Sequence, residues 1–151
     1  MSDVYSFLID SNIFVYAHDR SEPLKQKRAT AILERLANRD DVCVTTQILG
    51  ETFRVMTRKL RPPIEIDAAR QQIAHIGRLW SVLPVTENIV LDAMRGVQEY
   101  QISYWDAQIW ATARLAGVPI ILSEDFNSGA EIETICFLNP FADNFDLEVL
   151  N

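Results

Sequence analysis

Four acidic residues spread along the chain have the types and positions best suited to catalysis: Asp10, Glu51, Asp106 and Asp125. Carboxylates that face one another repel strongly and cannot all ionise without a positive counter-charge. A hard divalent cation supplies that charge through oxygen ligands, and either Mg²⁺ or Mn²⁺ suits such a site. Because a cation held in this way activates water and stabilises charge on a phosphoryl group, the chemistry predicted is hydrolysis of a phosphodiester.

Asp10 and Asp125 are each placed by a short apolar run that predicts a β-strand. Asp10 directly follows the run 5–9, and Asp125 follows the run 119–122 after two intervening residues. In a parallel sheet the carboxyl ends of the strands lie at one edge, and ligands bind there. We therefore expect both carboxylates at that edge.

Glu51 and Asp106 are placed by helices. The apolar spacing predicts helices over 47–59 and 103–116, and each acid lies in the first turns of its helix. A helix that follows a parallel strand begins at the same carboxyl edge, so these two acids are expected to converge with Asp10. Asp106 has apolar neighbours, and a buried carboxylate must be protonated, paired or bound to a cation. Taken alone, it is explained equally well as an acid favoured by the helix dipole.

Strands and helices are predicted to alternate along the chain, which is typical of a parallel sheet covered by helices. The strands are predicted at 5–9, 41–45, 82–85, 119–122 and 133–138. The helices are predicted at 22–38, 47–59, 67–80, 86–100 and 103–116. Residues 10–12 are predicted to form a loop, and the tail beyond Phe141 is not assigned. The sequence therefore predicts an α/β fold with three α/β/α layers and a central, mostly parallel sheet, in a single domain over 1–151.

Composition and charge limit the classes of protein to which the chain can belong. Its 151 residues, 48% of them hydrophobic and 23% charged, suit one globular domain, and the net charge of −7 argues against broad non-specific binding of nucleic acid. The apolar stretches are too short for a membrane span and the first residues lack a signal peptide, so a cytoplasmic protein is expected. Cys43 and Cys136 lie in apolar runs typical of buried free thiols, and no histidine–cysteine cluster indicates zinc.

Four stretches of the sequence, taken in order, resemble the PIN domain, the nuclease fold of VapC-type toxins from bacterial toxin–antitoxin pairs. They are Leu-Ile-Asp-Ser-Asn-Ile-Phe at 8–14, Thr-Gln-Ile-Leu-Gly-Glu at 46–51, Tyr-Trp-Asp-Ala-Gln-Ile at 104–109 and Ile-Leu-Ser-Glu-Asp at 121–125. No stretch is specific alone, but the ordered set spans nearly the whole chain.

The resemblance implies a role for each acid and for two polar neighbours. The implied catalytic residues are Asp10, Glu51, Asp106 and Asp125, and the three aspartates among them are the implied metal ligands. Ser123 is similar to the small hydroxyl residue that orients the acids, and Asn12 to the polar residue beside the first acid. Glu124 is an alternative ligand to Asp125, although Asp125 fits the family pattern better because it lies two residues after Ser123.

The resemblance also implies a function and partners. A PIN-like chain of this kind would be an endoribonuclease that depends on Mg²⁺ or Mn²⁺, would form a homodimer, and would be inhibited by a cognate antitoxin that covers its groove. A free-standing RNA-processing nuclease is the alternative. A receiver-like or phosphatase-like domain is a weaker one, because position 12 is asparagine and no lysine follows residue 59.

Several other residues have two interpretations. Arg54, one helical turn after the acid of its helix, is expected either to pair with that carboxylate or to contact RNA phosphate. Trp105 and Trp110 could stack on RNA bases, but their spacing in an apolar helix favours packing in the core. Lys25, Lys27 and Arg28 form a basic group that is expected to be solvated, with contact to RNA phosphate as the less favoured interpretation.

Overall fold

The sheet is assembled from six strands whose order in space differs from their order in sequence. The computed structural model describes residues 4–126 and 128–151. The strands in these ranges are β1 (Phe7–Ile9), β2 (Val42–Thr45), β3 (Ser81–Leu83), β4 (Ile120–Leu122), β5 (Glu131–Ile132) and β6 (Ile135–Leu138). Their order across the sheet is β3-β2-β1-β4-β6-β5, and every neighbouring pair is parallel except β5 with β6.

Helices flank this sheet, so the predicted α/β/α fold with a mostly parallel sheet is confirmed. The helices are α1 (Ser11–Tyr16), α2 (Pro23–Leu36), α3 (Thr46–Arg58), α4 (Ile66–Leu79), α5 (Glu87–Tyr100) and α6 (Tyr104–Ala116), followed by a 3₁₀ helix (Leu147–Leu150). Helix α1 contacts α2 and α3, α3 contacts α4, and α5 packs along α6.

The hydrophobic core is centred on the inner strands and on α6. Every residue of β1 and β2 is buried, as expected for parallel strands with both faces covered. Helix α6 is buried at every residue from Ala107 to Ala113, and Trp110 is fully buried as predicted. Helix α5 approaches this tryptophan closely at Gly96, where a Cβ atom would lie 2.9 Å from the Trp110 ring. The α5–α6 contact therefore leaves no room for a side chain at position 96.

The sequence prediction is wrong at three local points. The loop predicted at 10–12 contains the start of α1, a helix of only six residues that is too short to show a helical period. Strand β5 was not expected, and the strand predicted at 133–138 begins only at Ile135. The reason is Glu133, whose φ of 55° turns the chain between β5 and β6.

The segment after Phe141 packs against α2 and the residues that follow it. Arg28 donates hydrogen bonds to the carbonyl oxygens of Pro140 and Phe145, both at 2.8 Å, so the expectation that Arg28 is solvated is wrong. Arg39 donates to the carbonyl oxygen of Leu150 at 3.1 Å, and that leucine is fully buried. Two arginines thus anchor the carboxy-terminal segment through its backbone.

The two cysteines are free thiols in different surroundings. Cys43 is buried as predicted, and burial raises the pKa of its thiol to about 12. Cys136 is only half-buried, so the prediction of burial is wrong for this residue. Across 4–126 and 128–151, no helix has both the length and the apolar character needed to cross a membrane.

Candidate active site

The first acid is buried at the junction of β1 and α1. Asp10 is the N-cap of α1, and its Oδ1 accepts a hydrogen bond from the backbone N–H of Ser11 at 2.7 Å. Its Oδ2 accepts from the hydroxyl of Ser123, also at 2.7 Å, and only 1% of the residue is exposed. The backbone N–H of Asp10 donates to the carbonyl of Leu122 at 3.0 Å. The parallel pairing of β1 with β4 therefore brings the two ends of the site together.

The carboxyl of Asp10 lies in an environment that opposes ionisation. Burial raises its pKa from 3.8 to about 7, although hydrogen bonds from Ser123 and Ser11 favour the charged form. The negative charges of Asp125 and Glu51 raise the pKa further. In the part of the chain that the structure describes, no lysine or arginine forms an ion pair with Asp10. Without a cationic partner among these residues, the Asp10 carboxyl is stable in its protonated form or when a cation binds it.

Ser123 is the hydrogen-bonding centre of the site. Its hydroxyl is fully buried, donates to Asp10, and accepts from the side-chain amide of Asn12 at 3.2 Å and from the backbone N–H of Asp125 at 3.1 Å. One donor and two lone pairs are all that a serine hydroxyl offers, so each is used. The Asn12 carbonyl in turn accepts from the backbone N–H of Glu124 at 3.4 Å. Ser123 and Asn12 therefore hold the loop after β4 against the start of α1.

Glu124 and Asp125 are adjacent in this loop but have different partners. Glu124 accepts from Lys25 Nζ at 2.7 Å and from the hydroxyl of Tyr16 at 2.6 Å. The Lys25 ammonium also lies over the Tyr16 ring, 4.7 Å from its centre. The Lys25 side chain is still 37% exposed, but its ion pair with Glu124 ties α2 to the loop, which the sequence did not predict.

Asp125 is the acid of this loop that acts on the other aspartates. Within 4–126 and 128–151 its carboxylate accepts no hydrogen bond and forms no ion pair; only its backbone N–H is engaged. Its negative charge raises the pKa of both Asp10 and Asp106. Because both carboxylate oxygens of Glu124 already have partners, Asp125 is the better ligand candidate of the pair.

Glu51 approaches Asp10 from α3. The helix begins as soon as β2 ends, with Thr45 as its N-cap accepting from the backbone N–H of Ile48 at 3.1 Å. Glu51 Oε1 accepts from the Gln47 amide at 2.8 Å, and Oε2 accepts from the Ser11 hydroxyl at 3.4 Å. Ser11 lies next to Asp10, which explains why the Glu51 charge acts on that carboxyl.

Asp106 approaches from the first turn of α6. Ser103 is the N-cap of that helix, and its hydroxyl accepts from the Asp106 backbone N–H at 3.1 Å. Asp106 is half-buried, and burial raises the pKa of its carboxyl. The hydroxyl of Ser103 lowers this pKa and the charge of Asp125 raises it. The apolar surroundings inferred from the sequence are the main cause of its raised pKa.

We call these four acids together the acidic edge: Asp10, Glu51, Asp106 and Asp125. Asp10 interacts electrostatically with Asp125 and Glu51, and Asp125 interacts with Asp106. Over the described ranges, however, no three Asp, Glu, His or Cys side chains are grouped closely enough to hold a metal ion as they stand. The donor atoms are all oxygen and include a buried carboxylate without a cationic partner, which is the chemistry that Mg²⁺ and Mn²⁺ select.

Two predictions about residues around the acids are resolved. Trp105 is 62% exposed, so its predicted place in the core is wrong, although Tyr104 before it packs against the core and Ala107 is fully buried. Arg54 is exposed, and the predicted pairing with Glu51 is not observed among the residues that the structure describes.

Sequence reasoning missed the polar side chains that position the acids. Gln47 and Glu51 are four residues apart on one helix, and this spacing was a signal that could have found Gln47. Tyr16 and Lys25 gave no such signal, because their partner Glu124 lies about a hundred residues away and the contact exists only in the folded chain.

A second group of charged residues, which we call the arginine cluster, joins α5, α6 and the β5–β6 turn: Asp92, Arg95, Arg114 and Glu133. Asp92 accepts from Arg114 at 2.7 Å and from Arg95 at 3.0 Å. Arg95 also pairs with Glu133 at 2.7 Å and lies over the Trp110 ring. Burial opposes ionisation of Asp92, but the two arginines outweigh it and lower its pKa; Arg95 above all lowers the pKa of Glu133 to about 2.

Comparison with known protein structures finds the same fold in toxin–antitoxin proteins. The VapC20 toxin of Mycobacterium tuberculosis, described as cleaving the sarcin–ricin loop, is 17% identical, with a TM-score of 0.62 over 77% of this chain and 87% of that chain. A toxin–antitoxin complex from Klebsiella pneumoniae is 20% identical, with a TM-score of 0.64 over 90% and 98%. A DNA-bound VapBC from Salmonella typhimurium is 15% identical, with a TM-score of 0.57 over 89% and 97%. At these identities the likeness shows the fold alone.

The sequence itself provides the family assignment. Comparison with curated proteins finds no significant match. The family model of the PIN domain matches residues 7–128, which include β1, β4 and all four residues of the acidic edge. The match gives no support to a receiver-like or phosphatase-like domain. Since the model covers most of the sequence, this chain belongs to the PIN domain family.

Proposed function

We propose that this protein is an endoribonuclease that uses Mg²⁺ or Mn²⁺ to hydrolyse RNA phosphodiester bonds, and that it is the toxin of a type II toxin–antitoxin pair. The observation that best supports this is the acidic edge, where acids from four separate parts of the chain interact without a cationic partner among the described residues. Membership of the PIN domain family supports the reaction class.

Asp10, Asp106 and Asp125 are the residues that would hold the metal ion. When bound, the ion supplies the positive charge that activates water and stabilises a phosphoryl group. Asp10 is the fixed member of the set, because Ser11 and Ser123 hold its two oxygens. Asp125 keeps its carboxylate free of other partners in the described ranges, so it can turn towards the ion.

Glu51 has a different part in the proposed mechanism. Its side chain is one methylene longer than those of the three aspartates, so it can adopt more conformations. Hydrogen bonds from Gln47 and Ser11 keep it next to Asp10. A carboxylate in this position accepts a proton from the attacking water. Arg54, exposed one turn further along α3, provides a positive charge for an RNA phosphate.

The proposed partners are RNA, a cognate antitoxin and a second copy of the chain. Support for the antitoxin comes from the structural neighbours, several of which are toxin–antitoxin complexes. An antitoxin that inhibits the enzyme would have to cover the acidic edge. The proposed setting is the cytoplasm, where such a toxin meets its RNA.

Cleavage of RNA by the purified chain tests the reaction. Cleavage is expected with Mg²⁺ or Mn²⁺, and its loss is expected on adding EDTA or on introducing Asp10→Asn or Asp106→Asn. The control is Asp67→Asn, which removes an exposed acid from the first turn of α4. Calorimetry should show Mn²⁺ uptake by the parent chain and not by Asp10→Asn. Unchanged cleavage in both site variants would rule out this mechanism.

Growth of a bacterial host tests the toxin role separately. Expression of the parent chain should arrest growth, expression of Asp10→Asn should not, and co-expression of a short adjacent reading frame should restore growth. An active enzyme that leaves growth unaffected would instead support a free-standing RNA-processing nuclease.

A further inference from the structure

We propose that Trp105 is a stacking platform that binds an unpaired base of the RNA beside the acidic edge. The inference rests on the proposed ribonuclease function and names how this chain would hold its substrate. It starts from an exposure that folding alone does not explain.

Trp105 differs sharply from the other two tryptophans. Trp80 and Trp110 are 6% and 0% exposed, whereas Trp105 is 62% exposed. A large aromatic surface left in water at a functional edge gains free energy when a partner covers it. The Trp105 ring is supported on one side by Tyr104, whose ring meets it edge-on at 5.1 Å with an interplanar angle of 80°. Since 62% of the residue is exposed, most of its surface is accessible to a flat ligand.

The position of Trp105 connects it to the acids. It directly precedes Asp106, so the two Cα atoms are about 3.8 Å apart. Its carbonyl oxygen accepts from the Gln47 amide at 3.1 Å, and the same amide nitrogen donates to Glu51 Oε1 at 2.8 Å. One side chain therefore joins the backbone of Trp105 to a carboxylate of the site.

A second amide makes this arrangement rigid. Gln108, which is 6% exposed, donates to the Gln47 carbonyl oxygen at 2.6 Å and accepts from the Tyr104 hydroxyl at 2.7 Å. The aromatic pair and Glu51 are thus connected through two glutamines. Rigid support of this kind fixes a binding residue at a set distance from the reacting groups.

Electrostatics explains why stacking is needed here. The chain has a net charge of −7, and Trp105 directly precedes Asp106 and is bridged to Glu51 through Gln47, so apart from the contact proposed for Arg54 the phosphate backbone gains little attraction here. Base–aromatic stacking is independent of charge, tolerates any base because each has a π-face, and requires that the base be unpaired. The substrate is accordingly a single-stranded or looped RNA.

Intrinsic fluorescence provides a direct test, because Trp105 is the one exposed tryptophan among the three in the chain. The titration uses the full chain with Asp10→Asn, which prevents cleavage, and a short single-stranded RNA in Mg²⁺. Quenching of tryptophan emission is expected. In the same background, Trp105→Leu should lose the quenching and bind the RNA roughly 5- to 150-fold more weakly, whereas Trp105→Phe should restore most of the affinity.

Two controls separate stacking from general apolar contact. Leu115→Ala removes an exposed apolar side chain near the other end of α6, about 15 Å along the helix, and should leave the affinity unchanged. The second control is an RNA with abasic positions, which offers no base for stacking. Its affinity for the Asp10→Asn chain should fall to the affinity that intact RNA has for the chain with both Asp10→Asn and Trp105→Leu. Equal affinity for intact and abasic RNA, or full affinity in Trp105→Leu, would overturn the proposal.

Cleavage assays keep this inference distinct from the proposed function. With Asp10 intact, Trp105→Leu should raise KM with little change in kcat. If the parent chain cleaves RNA and Trp105→Leu has the same KM, the proposal that Trp105 stacks on a base is wrong, whereas the proposed ribonuclease function is supported. If Trp105 is shielded from acrylamide in the RNA-free chain in a concentration-dependent way, it is covered by a second copy of the chain, and the platform is again wrong.

Discussion

The acidic edge and the arginine cluster contain similar acids, yet their carboxylates ionise under opposite influences. In the arginine cluster, two arginines lie against Asp92, and Glu133 has a pKa of about 2. In the acidic edge, Asp10 has a pKa of about 7 and its neighbours are other acids. Among residues 4–126 and 128–151, the fold thus supplies counter-charges to the acids of the arginine cluster and none to Asp10.

This difference indicates that the charges of the arginine cluster stabilise the fold, whereas those of the acidic edge suit the proposed binding of a cation. The arginine cluster connects α5, α6 and the β5–β6 turn, and its ion pairs are complete within the chain. The acidic edge keeps an electrostatic penalty that a bound cation would relieve, and stored cost of this kind is typical of functional sites. The same type of substitution should therefore have opposite effects in the two regions.

The largest effect is expected for Asp10→Asn. If Asp10 holds the metal ion as proposed, its loss should lower the cleavage rate by about 100-fold or more. Folding raises the pKa of Asp10 from 3.8 to about 7. The contribution of this carboxyl to the free energy of unfolding is therefore fully present below about pH 4, where it is protonated, and is lost as the pH rises through about 7. The metal-free Asn variant should therefore be more stable than the parent chain at pH 8, as measured by urea unfolding with EDTA. Lower stability of the variant at pH 8 would contradict this account.

Asp92→Asn should show the reverse pattern. It weakens the bonds to Arg95 and Arg114, and it should lower the free energy of unfolding at pH 7 by about 1–2 kcal/mol while cleavage is unchanged. Because the folded pKa of Asp92 lies below its ordinary value of 3.8, the difference from the parent chain should shrink as the pH falls below about 4. Equal stability at pH 7 would show that the cluster is not a structural connection.

Ser123→Ala tests whether the acids need to be held in place. The variant removes the donor to Asp10 and the acceptor for Asn12 and Asp125, and kcat should fall about tenfold. The matched control is Ser21→Ala, which removes an exposed hydroxyl whose partner is Asp19. An unchanged kcat would mean that the bound cation orders the acids without the serine.

The smallest effect is expected for Glu133→Gln. Its pKa is lowered from 4.5 to about 2, so its stabilising contribution is present above pH 4.5 and is lost as the pH falls through about 2. The residue is partly exposed and solvent screens the pair, so the loss at pH 7 should be under about 1 kcal/mol and should diminish in 1 M NaCl. Unfolding curves at two salt concentrations measure this. An effect as large as that of Asp92→Asn would show that both pairs contribute equally.

The sequence predicted the parts of the structure that depend on local pattern. Five helices and five strands lie within two residues of the predicted bounds, because each has a clear apolar period or run. Asp10 and Asp125 follow from strand ends, and Asp106 from its apolar neighbours. The short helix α1 could not be predicted because six residues do not establish a period.

The contacts that position the side chains around the acids join residues that are far apart in sequence. Lys25 binding Glu124 and Gln47 bridging to Trp105 exist only after the helices have packed. The exposure of Trp105 was missed because the apolar composition of α6 does not show which single residue of its first turn faces solvent, and Trp105 does so while Ala107 is fully buried. Local pattern thus predicted the acids, and tertiary packing determines which polar and aromatic residues surround them.

Helix α2 has a consequence for how damage to the chain would spread. Its first turn provides Lys25 to the loop that contains Asp125, and one turn later Arg28 holds the backbone at Pro140 and Phe145. Proteolytic cleavage of the backbone between Pro140 and Phe145 would weaken the hydrogen bonds that Arg28 makes to these residues, and with them the packing of α2. Loosening the segment between Pro140 and Phe145 would then reach the loop that contains Asp125, although none of the four residues of the acidic edge had been substituted.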